Sequence, residues 1–283
     1  MRRICLLLVA SLGVVLFGTP ACAQEKEKLK TEGFGSVVGK VTFVGELPKI
    51  IDLKAKMMLH QDKACCLAGK PGEMVDQTWI IDPKTKAVEN VAIWISPPKD
   101  TYLAIHPKYK KRKEMIVVDQ PNCAFVPRVS AFNPVFFDGK EYVATGQQLH
   151  IKNSATVSHN VRVIGHPLFN EGFNKTLQAK TTLDCMNDLE EKQKLKPQVL
   201  PISLQCDLHP WMAGKLFVFD HPHYAITNAD GKFEISAIPA GAQVSIVAWH
   251  EGLGWALKGG KAGAPITIKN GETTTFNIEL TLP

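Results

Sequence analysis

Residues 206–212 read CDLHPWM and set a thiol, an imidazole and a thioether at intervals of three, directly after the apolar run VLPISLQ. Cys206 and Met212 taken alone fit core packing, because free cysteine behaves as a small buried hydrophobe and methionine fills gaps. Taken with His209 they fit a soft-ligand metal loop. A second imidazole, His159 in VSHNV, stands 47 residues upstream at the start of another β-type run. A fold that brings those two strand ends together assembles two imidazoles, one thiolate and a weak thioether from Met212. That donor set describes a type 1 copper site: thiolate favours Cu(I), imidazole serves both oxidation states, and the axial group tunes the potential.

The elements that must position these residues are strands. From Ser36 the chain is a series of short β-type runs, among them SVVGKVTFVG, NVAIWI, EMIVVD, QLHIKN, HNVRVIG, KLFVFD, KFEIS and QVSIVAWH, broken by Gly, Pro, Asn and Asp. Strands at this spacing with turn residues between them predict an all-β sandwich architecture. NADGKF carries an Asp-Gly hairpin signal, and KNGE near the end carries Asn-Gly. Residues 184–196, DCMNDLEEKQKLK, have helical propensity but a weak apolar face, and read as a surface insertion with at most a short helix.

Three resemblances refine this reading. CDLHPWM followed by AGKLFVFD resembles the amicyanin variant of the cupredoxin ligand loop, and HNV resembles the segment that carries the first histidine ligand in plastocyanins and amicyanins. CAFVPRV and TGQQLHIKNS resemble the preceding cupredoxin strand pair, with Lys152 where tryptophan is usual. The resemblance implies His159, Cys206, His209 and Met212 as ligands of one type 1 copper. It implies Asn160 as the residue that hydrogen-bonds across to the cysteine loop, a restricted His209 before Pro210, and Trp211 covering the loop or packing on a neighbouring sandwich. It also implies His209 as the edge through which electrons pass, and a redox protein as partner. Residues 160–205 are longer than in a plain amicyanin, which suits a shield or a docking surface.

The segments around Gly39-Lys40-Val41, Asp230-Gly231-Lys232-Phe233 and Thr273-Thr274 resemble, in order, the carboxypeptidase regulatory-like family, a transthyretin-like β-sandwich. Over most of its length the chain is also similar to exported bacterial proteins of methylamine-utilisation-like type, which pair CDxHPWM with a later AWHE. The expected organisation is a signal peptide at 1–23, a disordered leader at 24–35, a cupredoxin domain at 114–222, and a regulatory-like sandwich split between 36–98 and 223–283. The cupredoxin sandwich is thus inserted in, or lies beside, the other.

The opening MRRICLLLVASLGVVLFGTPACAQ has a basic start, an apolar stretch and a small-residue cleavage site, which predicts export to the periplasm or beyond. Cys22 permits a lipid anchor, but the residues before it lack the usual leucine, so the anchor ranks second. No later run is long and apolar enough to cross a bilayer. Without Arg2 and Arg3 the chain has 31 basic and 27 acidic side chains, a net of +4, which argues against nucleic-acid binding. Five cysteines follow the signal: Cys65, Cys66, Cys123, Cys185 and Cys206. With Cys206 assigned to the metal, one of Cys65 and Cys66 is expected to bridge to Cys123 and the other to join Cys185, although spacing leaves the connectivity open.

Competing chemistries fit less well. Zinc accepts the same His and Cys donors but gains little from Met212. A covalent haem lacks its C-x-x-C-H, a multicopper enzyme lacks histidines flanking Cys206, and a serine hydrolase lacks its nucleophile elbow. His221, His223, His250 and His166 read as solvated loop residues, with His221 and His223 a weaker candidate for a second metal. KYKKRK at 108–113 reads as a solvated loop that can also steer an acidic partner. The expected function is an exported carrier of single electrons and not an enzyme. The alternative is a periplasmic copper-binding or structural sandwich without dedicated electron transfer.

Overall fold

The computed structural model describes residues 26–282, so the predicted signal peptide and Cys22 lie outside the described residues. The architecture is all-β, built from two sandwiches that meet along a common seam. Strands from the two ends of the described chain make one sandwich. Phe34–Phe43 pairs antiparallel with Lys232–Pro239 and parallel with Thr273–Thr275 and Ile278–Leu280. Ala92–Ser96 lies between Tyr224–Ile226 and Gln243–His250 in the facing sheet. Alternation explains the burial: Val37, Val41 and Phe43 point into a core shared with Ile93, Ile95, Phe233 and Ile246. The Asp-Gly signal marks a true turn, since Gly231 has φ +72° and a Cβ there would stand 2.4 Å from the Val41 carbonyl oxygen.

The central strands make the second sandwich. Its five-stranded sheet runs Phe173–Leu177, His159–Ile164, Ile202–Gln205, Ala213–Val218 and Val129–Phe132, and its three-stranded sheet runs Thr181–Asp184, Gln148–Asn153 and Met115–Asp119. Leu149, Ile151, Val161, Val163, Leu204 and Leu216 fill the space between them.

Some apolar runs are continuous because both of their faces are covered. In AIWIS, Ile93 and Ile95 enter the first core while Ala92 and Trp94 face the other sandwich, against Val129, Ala131, Phe217 and Phe219. Phe217 meets Trp94 at 5.8 Å and Trp249 at 5.3 Å between ring centres. Burying a side chain of this kind contributes about 2 kcal/mol, so the seam resists separation of the sandwiches. A largely buried ion pair, Arg128 Nε to Glu251 Oε2 at 2.9 Å, crosses the same boundary.

Several expectations are corrected here. Over its described residues the leader at 24–35 is not disordered: Glu27–Lys28 pairs with Thr101–Tyr102, and Leu29 is buried. Residues 184–196 hold no more than the short helix expected, a 3-10 turn at Glu191–Gln193, but the segment is anchored rather than lying wholly on the surface, because Cys185, Leu189 and Leu195 enter the central core. His223 and His250 are buried, and His221 is half-buried, rather than solvated. Residues Lys54–Met58 and Lys63–Cys66 form two short helices that leave the first sandwich and pack Leu53, Met57 and Cys66 onto the central core.

Candidate metal centre

Strand pairing assembles the site. His159–Ile164 and Ile202–Gln205 are antiparallel neighbours in the register Arg162↔Gln205 and Ile164↔Ser203. The start of the first strand therefore lies beside the end of the second, and His159 faces the loop that begins at Cys206. The loop closes on itself: Met212 N donates to His209 O at 2.9 Å, and Cys206 N donates to Met212 O at 3.4 Å. His159 and His209 have no exposed surface, and Cys206 and Met212 are each 2% exposed.

The Nδ1 atoms of His159 and His209 stand 3.0 Å apart, and Cys206 Sγ lies 3.8 Å from each. Metal–nitrogen bonds of about 2.0 Å and metal–thiolate bonds of about 2.3 Å span a triangle of this size around one ion. The donor set and its spacing thus fit a trigonal metal site of two nitrogens and one sulfur, and the buried Met212 closes the loop that carries two of the three donors.

Asn160 braces the loop. Its Oδ1 accepts from Asp207 N at 2.7 Å, Leu208 N at 3.2 Å and the Cys206 thiol at 3.2 Å. Its Nδ2 donates to Asn174 Oδ1 and Asp207 Oδ2. Trp211 covers the loop, donating from Nε1 to Cys123 O at 3.2 Å and meeting His209 edge-on at 5.6 Å. Pro210 is exposed on the outer side of the turn.

Burial sets the protonation of the donors. It lowers His159 to about 4, helped by neighbouring His209 and opposed by the Asn122 backbone and Asp62. Burial, and then His60, also lower His209, while Asp62 pulls the other way. Both rings are thus neutral at pH 7 and able to offer lone pairs. Burial raises the Cys206 thiol, against the opposite pull of the loop's backbone groups. A thiolate here therefore needs a cation beside it, as metal binding with proton release provides.

One expectation fails. The His209 edge is no port to solvent, because Asp62 Oδ2 lies 3.1 Å from its Nε2 and the His60 ring packs at 4.6 Å. His60 and Asp62 went unnoticed in the sequence: HQDKACC sits 147 residues before the loop, and no spacing rule links the two.

Cys66 pairs with Cys123, one of the two choices expected. Among the described residues Cys65 and Cys185 are free and buried, so the bridge between them is not formed. Two further donor groups, His60–Cys66–His209 and Cys123–His159–His209, bring ligand atoms within 4.8 Å of one another. Both cysteines in them are tied in the disulfide and offer no thiolate, so the set with Cys206 is the better metal site.

No family model and no curated protein matches this sequence. Among solved structures, a Cu(I) form of an amicyanin variant matches at 15% identity over 37% of this chain and 82% of its own, with a TM-score of 0.27. An oxidised amicyanin variant matches at 15% identity over 45% of this chain and 98% of its own, with a TM-score of 0.28. A purple cupredoxin from Nitrosopumilus maritimus matches at 14% identity over 38% and 99%, with a TM-score of 0.25. Likeness at this level supports no functional inference, which rests on the site itself.

Proposed function

We propose that this protein is an exported one-electron carrier in which His159, Cys206 and His209 would hold a single type 1 copper, with Met212 as a weak fourth donor. The observation that carries the reading is the buried triangle of two Nδ1 atoms and one Sγ with edges of 3.0, 3.8 and 3.8 Å. Copper in such a site exchanges one electron between Cu(I) and Cu(II). The chain's own residues keep the site ready for that exchange. Asn160 holds the loop backbone, burial keeps both imidazoles neutral, and the Cys206 thiol gives up its proton on loading. A loop fixed in this way moves little between oxidation states, and nothing in the set performs bond-making chemistry, so we read the chain as a carrier and not an enzyme. Its partner on this reading is another redox protein.

The test is the visible spectrum of copper-loaded protein beside a Cys206→Ser variant. An intense thiolate-to-copper band, lost in the variant, bleached by a reductant and restored by an oxidant, supports the reading. A folded, copper-loaded protein without the band sinks it. The burial of His209 beneath Asp62 favours a second reading, copper holding without electron traffic. That reading predicts the same band with slow or absent exchange with soluble redox partners.

A further inference from the structure

The segment that covers His209 does not come from the ligand-bearing strands. It comes from residues 53–66, far upstream, and three fastenings hold it against the loop. Leu53 and Met57 are buried in the central core. Cys66 is bonded to Cys123, whose carbonyl oxygen accepts from Trp211 Nε1. His60 Nε2 lies 3.0 Å from Leu208 O, and its Nδ1 accepts from Asp62 N at 3.1 Å. These two contacts occupy both nitrogens of His60, so this ring anchors the ligand loop and is not itself a donor to a metal.

They leave the Asp62 carboxylate facing His209 Nε2 at 3.1 Å. A carboxylate only accepts, so His209 must donate from Nε2–H, which leaves Nδ1 as the lone-pair nitrogen. Nδ1 is the atom that points at His159 Nδ1 and Cys206 Sγ. The carboxylate thus fixes both the ring orientation and the tautomer that ligation requires.

We propose that Asp62 is a positioning residue for His209, delivered by the 53–66 segment and held in place by the Cys66–Cys123 bridge. This rests on the reading of His159, Cys206 and His209 as a copper site. It makes the affinity of that site depend on a disulfide that supplies no ligand. Carboxylates behind metal-bound histidines raise ligand basicity, and losing one typically weakens metal binding about 10- to 100-fold.

The experiment titrates Cu(II) and Cu(I) against a competing chelator in the full-length exported protein, with the thiolate band recorded at each point of the Cu(II) titration. The proteins are wild type, Asp62→Ala, Asp62→Asn and the double variant Cys66→Ser/Cys123→Ser. Asp62→Ala is expected to bind copper about 10- to 100-fold more weakly and to shift the band. Asp62→Asn keeps an amide oxygen that accepts from Nε2–H, and recovers most of the affinity. A folded double variant is expected to lose affinity as Asp62→Ala does. Wild-type affinity and an unchanged band in Asp62→Ala overturn the proposal. Wild-type affinity in a folded double variant overturns the part assigned to the bridge, while Asp62→Ala still decides the rest if the double variant fails to fold. A wild-type protein that binds copper with no thiolate band overturns the copper reading itself, a different result from either.

Discussion

Asn160 and Asp207 are joined in both directions: Asn160 Oδ1 accepts from Asp207 N at 2.7 Å, and Asn160 Nδ2 donates to Asp207 Oδ2 at 3.2 Å. The pair ties the residue after His159 on its strand to the first residue of the loop after Cys206. Truncation to Asn160→Ala strands the Asp207 and Leu208 amides and removes the acceptor of the Cys206 thiol. An unmade hydrogen bond at a buried group costs about 1–3 kcal/mol. Asp207 and Leu208 are exposed and only the weakly donating Cys206 thiol is buried, so the variant should be about 1 kcal/mol less stable by urea unfolding. Copper binding should weaken as well, because the loop loses its brace. A variant with wild-type stability and wild-type chelator competition contradicts this account.

The Cys66–Cys123 bridge closes a loop of sequence separation 57. Loop-closure entropy for that length stabilises the folded chain by about 4 kcal/mol. The double serine variant, and the wild type after reduction by a phosphine, should both show a loss of that size in denaturant unfolding. Cys65 and Cys185 are unpaired among the described residues, so replacing either by alanine should cost only what their buried packing contributes. A double serine variant as stable as wild type would mean that the bridge constrains little.

Periodicity made the strands legible. SVVGKVTF and HNVRVI alternate because each covers one core, and NVAIWI runs continuously because Ala92 and Trp94 face one partner while Ile93 and Ile95 face another. Cys206, His209 and Met212 were legible because their spacing lies within one loop, and His159 because it opens the neighbouring strand. Asp62 and His60 were not legible, since their contact with the loop depends on where the two short helices dock and not on any local pattern. The buried state of His223 and His250 was hidden for the same reason. A histidine beside a turn looks solvated until a second sheet covers it. The unformed Cys65–Cys185 pairing shows that a cysteine count fixes no distances.

Arg128 and Glu251 come from different sandwiches, with side chains 8% and 17% exposed. Arg128 also donates from Nη1 to Ala213 O at 2.7 Å, immediately after Met212. Glu251→Ala leaves Arg128 buried with a backbone carbonyl and only the more distant Asp76 carboxylate, and breaking such a pair costs about 3–5 kcal/mol when burial is complete. Partial exposure argues for the lower end, about 3 kcal/mol. Replacing both residues, Arg128→Met with Glu251→Leu, should recover part of that loss, because the buried guanidinium goes with the carboxylate, while Lys215, 3.6 Å from Glu251 Oε1, keeps its contact with Ser203 Oγ. A double-mutant cycle in urea measures the coupling. Strict additivity of the two single changes would show that the ion pair does not join the sandwiches.

Acid should destabilise the fold through its buried histidines. His250 packs on Trp79 at 3.9 Å between ring centres, accepts from Gly252 N through Nδ1, and has a buried Nε2 without a partner among the described residues. Burial alone holds its pKa down to about 4. The unfolded chain takes up this proton near pH 6.5. Between about pH 6.5 and 4 the unfolded state therefore binds a proton that the folded state refuses, and stability falls as pH drops through that window. The loss attributable to His250 is on the order of 3 kcal/mol, complete below about pH 4. His223, pushed down to about 3 by burial and then by His221, acts in the same direction. His250→Phe keeps an aromatic ring against Trp79 and removes the titrating group. Urea unfolding at about pH 7 and about pH 4.5 should show a smaller acid loss in His250→Phe than in wild type. An equal loss in both would place the acid sensitivity elsewhere in the fold.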